Sequence, residues 1–219
     1  MALVIFDLDN TLIAGDSDHA WGEFLVERKI VDAAYYQAKN DQFFQDYQSG
    51  NLIIEEYLAF ALEPLANNTL DDLLSWREDF LTKKIIPLML PKAKALIEKH
   101  RKQGDYLLII TATNHFVTER IAQLLEVDDL IATEPEKDNH GYTGKIAGTP
   151  SFKEGKITRL NEWLKSNNYS MKGSYFYSDS HNDIPLLELV DNPVAVDPDE
   201  TLRAYCEKNQ WPIQTLRNM

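Results

Sequence analysis

The sequence predicts an α/β protein: a parallel sheet with crossover helices, carrying an all-helical segment inserted after its first strand. Three observations support this. Short apolar runs rich in β-forming residues recur at Ala2–Phe6, Tyr106–Ile110, Ser174–Tyr177, Pro193–Val196 and Ile213–Leu216. From Pro91 onward they alternate with helical spacing at Pro91–Lys102, Phe116–Leu125, Glu154–Ser166, Ile184–Glu188 and Glu200–Lys208. Residues 18–86 show helical spacing alone, and no strand pattern interrupts them.

Ala2–Phe6 lacks polar alternation, so it reads as a strand covered on both faces, ended by Asp7-Leu8-Asp9-Asn10. The inserted segment divides into His19–Arg28, Ala33–Tyr47, Ile53–Ala61 and Leu70–Lys83. Leu52, Tyr57, Phe60 and Ala61 form one apolar stripe, and Leu70, Leu73, Leu74, Trp76 and Phe80 another. The aromatic residues Trp21, Phe24, Tyr35, Tyr36, Phe43, Phe44 and Tyr47 read as the core of a small bundle rather than a stacking surface. Gly15 favours a bend in a linker near Ile13–Ser17, and Pro87 ends the preceding helix in a second linker, Lys84–Leu90. The expected division is a Rossmann-like core, 1–17 and 87–219, with a helical cap, 18–86. Such a cap covers the carboxyl ends of the strands, where open α/β sheets bind ligands.

Within 219 residues, 22 Lys and Arg face 35 Asp and Glu, a formal charge of -13. That surface repels phosphate backbones and anionic membranes, so nucleic acid and membrane are not expected partners. A small anionic metabolite is still allowed, because a bound divalent ion and local amides reverse the field inside a pocket. The single Cys206 excludes an intramolecular disulfide and a cysteine zinc cluster. No apolar stretch approaches the ~20 residues of a membrane span, and the N-terminal run is too short for a signal peptide. The expected location is the cytoplasm.

Four segments at strand ends offer chemistry. In Asp7-Leu8-Asp9 the carboxylates at i and i+2 leave an extended strand on one side and repel unless a hard cation joins them. Magnesium is usual where phosphate is also bound. The pair alone reads equally as an Asx-turn with two solvated acids. In Thr111-Ala112-Thr113-Asn114 a hydroxyl and small residues let backbone amides face a phosphate, although Thr or Asn there also suits a helix cap. Lys153 and Lys156 begin a helix, where either can neutralise a transferring phosphoryl group or lie solvated. Asp179-Ser180-His181-Asn182-Asp183 supplies further oxygen ligands, or simply an acidic helix start.

In this order the four segments resemble the haloacid-dehalogenase superfamily of phosphohydrolases, across nearly the whole chain; Phe6-Asp7-Leu8-Asp9-Asn10-Thr11-Leu12 is the most specific run. The helical insert after the first motif resembles the subclass containing phosphoserine phosphatases. The resemblance implies that Asp7 is the nucleophile and Asp9 the acid that protonates the leaving alcohol, then the base that activates water. It implies that Thr111 binds phosphoryl oxygens with the amides of Leu8, Asp9 and Ala112, and that Asn182 contacts phosphate. Mg²⁺ would be held by Asp179 with the Asp7 carboxylate and the Asp9 carbonyl, and Asp183 belongs to the same metal group. The family's lysine lies 23 residues before the first acid of the last motif, which selects Lys156 over Lys153.

Phosphoserine phosphatases also read the substrate ammonium with an acid after the first motif, and its carboxylate with an arginine in the insert. Asp16 stands at the acid's position, nine residues after Asp7, though as Asp rather than the usual Glu; beside Gly15 it also suits a turn. With Gly50 matched to the family's equivalent glycine, the arginine's position falls at Ala61, and no arginine lies between Arg28 and Arg77. A bidentate carboxylate clamp is hard to replace, so the expected substrate is an amino-alcohol phosphate without a carboxylate. Histidinol phosphate leads, with phosphoserine second. From other classes, a phosphorylatable receiver domain lacks an insert after its first strand, and an inactive binding protein would have lost Asp9, the lysine or a last acid.

Overall fold

Along the chain run β1 (Leu3–Phe6), α1 (Ser17–Glu27), α2 (Ala33–Gln48), α3 (Ile54–Ala66), α4 (Leu70–Phe80), α5 (Pro91–Lys102), β2 (Tyr106–Asn114) and α6 (His115–Leu125). They are followed by β3 (Asp129–Thr133), β4 (Pro135–Asp138), β5 (Gly141–Ile146), α7 (Glu154–Asn167), β6 (Tyr175–Ser178), α8 (Ile184–Leu187), β7 (Asn192–Val196), α9 (Glu200–Asn209) and β8 (Ile213–Gln214). The computed structural model describes residues 2–217.

One sheet takes the order β3-β2-β1-β6-β7-β8, and every pairing in it is parallel. All of β1 is buried: the pleat sends Leu3 and Ile5 to one apolar cluster and Val4 and Phe6 to the other. The α/β expectation therefore holds. The chain builds outward from β1 through β2 to β3, then returns to the other edge of β1 with β6. At that reversal the crevice beyond the carboxyl ends of β1 and β6 is open to a ligand.

Two elements escape the pattern reading. β3 is only five residues long, and the β4–β5 hairpin is polar and half-exposed, so neither gives an apolar run. The hairpin lies against α3, where a Cβ on Gly144 would come 3.2 Å from Ala66.

Helices α1–α4 occupy the inserted segment as expected, with Asp16, Asp32 and Thr69 capping α1, α2 and α4. The apolar stripe of α4 differs from the expected one. Leu70 and Leu74 are exposed, whereas Leu73, Arg77 and Phe80 face inward at helical spacing. Arg77 is tolerated there because its guanidinium donates to Phe116 O at 3.0 Å, bridges Glu119 at 2.8 Å and lies over the Phe116 ring. Nor does Pro87 simply end α4. Winding continues as a π turn, Leu81–Ile85, and a 3₁₀ turn, Ile86–Leu88. The proline has no N–H and its ring crowds the carbonyl one turn back, so the ladder shifts register instead.

The aromatic residues also split. Trp21 and Phe24 pack with Phe80 in the main core, and Tyr36 and Phe43 meet Phe60 between α2 and α3, but Phe43, Phe44 and Tyr47 line a pocket. The two crossings between inserted segment and sheet run side by side. Ile13 and Met89 form an antiparallel bridge, and Ala14 donates to Leu88 O at 2.8 Å. Among the described residues no helix is long and apolar enough to cross a membrane.

Candidate active site

The site begins where β1 ends. The Asp7 amide still donates to Tyr177 O at 2.8 Å, extending the ladder to β6. The chain then turns sharply: Leu8 O accepts the amides of Thr11, Leu12 and Ile13, and Asn10 takes φ 57. This turn faces the carboxyl end of β6. The Thr11 hydroxyl accepts from the Asp179 amide at 3.0 Å, and lies 3.1 Å from Asp179 Oδ1 and 3.5 Å from Asp7 Oδ2. The first and last motifs, far apart in sequence, thus share one hydroxyl.

Lys156 enters from the first turn of α7 and is 2% exposed. Its Nζ lies 2.8 Å from Asp7 Oδ1 and 2.8 Å from Asp183 Oδ1, and Ser178 Oγ donates to Asp183 Oδ2 at 2.7 Å. Lys153 goes elsewhere. It donates to Gly50 O at 3.1 Å, in the loop after α2, from a backbone at φ 48 that a lysine rarely adopts. Gly155 allows the approach of α7, since a Cβ there would lie 2.0 Å from Pro150 O. Gly155→Ala should therefore displace Lys156. We expect about 1–3 kcal/mol of destabilisation from overpacking and at least a tenfold fall in kcat, read by thermal melting and phosphate release. A melting point and kcat matching wild type would show that the close approach is dispensable.

Asp9 points into the pocket. Its Oδ1 accepts the Ser17 amide at 2.6 Å, and its Oδ2 accepts the Thr113 hydroxyl at 2.9 Å, with Thr111 Oγ1 at 3.4 Å. Burial, then the Asp16 charge, pushes Asp9 up to about 6, against the Ser17 and Thr113 hydrogen bonds. A carboxyl so placed can give and take a proton near neutral pH. Burial also pushes Asp7 up to about 7 against the Lys156 charge, and holds Asp179 well above the usual carboxylate range, helped by Asp7 and Asp183. Burial disfavours the Lys156 charge, but Asp183 and Asp7 outweigh it and raise the ammonium.

Asp7, Asp9, Asp179 and Asp183 therefore share a single lysine, and the cluster lacks positive charge. The donors suit a small hard cation. Both Asp183 oxygens are engaged by Lys156 and Ser178, which places Asp183 behind the lysine rather than among free ligands. The Asp9 carboxylate is turned to the pocket. Asp7 and Asp179 remain, joined through Thr11, and among the described residues no cluster of three acidic, His or Cys side chains encloses an ion. Two carboxylates with a phosphate and water suit Mg²⁺, which is seldom caged by protein alone.

Asp7, Asp9, Thr111, Ala112 and Thr113 form the floor of the pocket. One wall is Asp16 with Asp18 and His19 of α1; Phe43, Phe44 and Tyr47 on α2, with Leu52, Ile54 and Tyr57, form the other. Asp16 both lines the pocket and caps α1, its Oδ1 accepting from Asp18 N at 2.9 Å and His19 N at 2.8 Å. Asn182 is turned toward α2: its Nδ2 lies 3.4 Å from Tyr47 O. Sequence reasoning missed Thr113, Ser17, Tyr47 and Asp18. Thr113 was detectable as the i+2 partner of Thr111 on an extended strand. Tyr47 and Asp18 carried no local signal, because the fold alone brings them to the pocket.

A model of the haloacid dehalogenase-like hydrolases matches residues 4–188. The chain belongs to this family. A protein of Neisseria meningitidis serogroup C named histidinol-phosphatase is 45% identical over 219 residues, covering 98% of this chain and 99% of that one. A phosphoserine phosphatase of Mycobacterium tuberculosis is 27% identical, over 99% of this chain and 71% of its own. Among solved structures, a Bordetella pertussis Tohama I protein of unknown function superposes with a TM-score of 0.93 at 40% identity, covering 99% of both chains. A substrate-bound phosphoserine phosphatase shares the fold, with a TM-score of 0.71 at 15% identity over 99% of this chain and 93% of that one. This haloacid dehalogenase-like hydrolase is thus a phosphatase, with relatives named for two different substrates.

Proposed function

We propose that the enzyme hydrolyses the phosphomonoester of a small amino alcohol through an aspartyl-phosphate on Asp7, with histidinol phosphate as the leading substrate. The observation that carries the chemistry is the pairing of Asp7 with a fully buried Lys156 ammonium at 2.8 Å, while Asp9 is held separately by Ser17 and Thr113. Asp7 attacks phosphorus, and the bond from phosphorus to the ester oxygen breaks. Asp9 gives its proton to that leaving oxygen, so the alcohol departs neutral. Asp9 then takes a proton from water, whose oxygen attacks phosphorus; the bond to Asp7 breaks and phosphate is released. Lys156 stabilises charge on the phosphoryl oxygens throughout, and Thr111 with the Leu8 and Ala112 amides orients them. Mg²⁺ held by Asp7, Asp179 and the Asp9 carbonyl, with Asp183 behind, would offset the charge of nucleophile and phosphate.

Residues 18–86 would act as a cap on a core of 1–17 and 87–219. The paired crossings at Ile13 and Met89 and the contacts of Lys153 and Asn182 with the end of α2 support this division. For the substrate, Asp16 lines the pocket, and Ala61 leaves no arginine to read a carboxylate. The relative named histidinol-phosphatase agrees with that reading. Phosphate release from a panel of esters in Mg²⁺ is the test, and phosphoserine turned over far better than histidinol phosphate would defeat it. Asp16→Asn, which keeps the helix cap, should cost amine-bearing esters about 10–100-fold in kcat/KM, the scale of a lost charged hydrogen bond. Plain alcohol phosphates should change little; an equal loss for every ester would place Asp16 in the phosphoryl-transfer machinery.

A further inference from the structure

Tyr47 stands on the last turn of α2 and borders two spaces at once. It lines the pocket with Asp7, Asp9 and Thr111, and a second cavity with Asp179, Ser180 and His181. Its ring packs near Phe152, 6.1 Å between centroids, just ahead of the helix that carries Lys156. The residue as a whole is partly exposed, but its hydroxyl end is not. Burial, then the charges of Asp7, Asp183 and Asp179, push the phenol well above its usual value, with the neighbouring Ser180 hydroxyl opposing them. The hydroxyl thus lies within electrostatic reach of the nucleophile and of both last-motif acids.

The hydrogen bonds around Ser180 decide where the phenol proton goes. Ser180 Oγ accepts from the Asn182 amide at 3.2 Å and from Asn182 Nδ2 at 3.3 Å. A hydroxyl has two acceptor sites and one proton, so Ser180 has only its proton left to offer Tyr47. The phenol oxygen accepts that proton and keeps its own for another partner. Asn182 is already engaged. The family resemblance assigns it to phosphate, yet its Nδ2 is turned to Ser180 Oγ and to Tyr47 O, the latter at 3.4 Å.

We propose that Tyr47 is a further catalytic residue, whose hydroxyl donates to a phosphoryl oxygen in the role that Asn182 leaves vacant. In the transition state charge spreads over three equatorial oxygens, and each fixed donor aimed at them lowers the barrier. Lys156, Thr111 and the Leu8 and Ala112 amides all come from outside the inserted segment. Tyr47 adds a donor from α2, and a phenol, protonated at neutral pH, brings no further charge into the acid cluster. The inference rests on phosphoryl transfer to Asp7. It is independent of which alcohol leaves, so its effect should be alike for every ester.

The test is Tyr47→Phe, which removes the hydroxyl and keeps both the ring beside Phe152 and the carbonyl that Asn182 meets. The position is partly exposed and the ring keeps its shape, so the fold should survive, as melting curves would check. In saturating Mg²⁺ the variant should lose about 10–100-fold in kcat, the scale of one hydrogen bond to a charged group. The loss should be similar for p-nitrophenyl phosphate, O-phosphoethanolamine and histidinol phosphate. Orthovanadate, which mimics the transferring phosphoryl group, should inhibit the variant more weakly by a similar factor, while the Mg²⁺ midpoint stays within about twofold. A loss confined to amine-bearing esters would make Tyr47 a specificity residue and overturn the proposal. Unchanged turnover and vanadate inhibition, whatever the melting point, would make the hydroxyl structural. A shifted Mg²⁺ midpoint with vanadate inhibition intact would place the hydroxyl with the metal instead, and equally overturn it. Rapid-quench trapping of a phosphoenzyme in wild type checks the Asp7 reading separately. Without a phosphoenzyme that reading falls, whereas a trapped one beside a fully active Tyr47→Phe overturns the role of Tyr47 alone.

Discussion

Asp7→Asn is expected to lower kcat by at least about 10⁴, the scale of losing a nucleophile, and to leave no acid-labile phosphoenzyme in quenched reactions. The amide is nearly isosteric with the carboxylate but a far weaker nucleophile. The fold should survive the change. Asp7 lies beside Lys156, Asp183 and Asp9, and burial pushes its pKa up to about 7 from the ordinary carboxyl value of 3.8. A carboxyl with a raised folded pKa contributes stability when protonated and loses it as pH rises through the folded value. At pH 8 in chelator the ionised Asp7 is therefore a cost to the folded state, and the Asn variant should melt higher than wild type. Adding Mg²⁺ should reverse that order, because wild type binds the ion more tightly and gains more by mass action. Residual turnover within tenfold of wild type would remove Asp7 from the nucleophile's role, and equal melting responses to Mg²⁺ would remove it from the metal site.

The sheet was legible because β1, β2, β6 and β7 are buried apolar runs followed by polar turns. β3 was not, since Asp129-Leu130-Ile131-Ala132-Thr133 is short and begins with an acid, and the β4–β5 hairpin buries little. In the inserted segment helical periodicity located the helices but not the faces they bury. Arg77 takes an inward position on α4 that a hydrophobicity reading assigns to Leu74, because only the packed structure reveals Phe116 and Glu119 as its partners.

Within the site, Asp7 and Asp9 were visible from their spacing along an extended chain, and Thr113, though missed, was detectable on the same principle beside Thr111. Asp18 was not. From sequence it is one more acid at a helix start, and only the fold brings it to the wall of the pocket. Lys156 lies between these cases. Borrowed spacing selected it, whereas the physical reason is the close approach of Gly155 to Pro150 O, which carries α7 down onto the acids.

That difference between two neighbouring lysines yields the other large effect. Lys156→Ala should lower kcat by about 10²–10³, the scale of removing one fixed electrostatic donor from a water-poor site. Lys153→Ala should stay within about fivefold, since it loses one partly exposed hydrogen bond to the loop after α2, about 0.5–1.5 kcal/mol. The two variants should also part in stability. Without Lys156, Asp7 and Asp183 face each other and Asp179 with no cation among them, and removing one partner of a buried ion pair costs about 3–5 kcal/mol. The sign of the pH dependence follows from the raised carboxyls. Asp7 keeps its proton to about pH 7 in the folded protein against 3.8 in the unfolded chain, and loss of Lys156 raises it further. Between those limits the folded state binds more protons, so stability falls as pH rises. Up to about pH 7 Asp7 keeps its proton in both folded proteins and they lose stability in parallel; above it wild type levels off while the variant goes on losing. In metal-free buffer, the melting-point deficit of Lys156→Ala should therefore be steady to about pH 7 and widen toward pH 8, while that of Lys153→Ala stays flat. If instead Lys153→Ala lost the greater rate and showed the pH-dependent deficit, the electrostatic role would belong to Lys153, and the ion pairs of Lys156 with Asp7 and Asp183 would be structural.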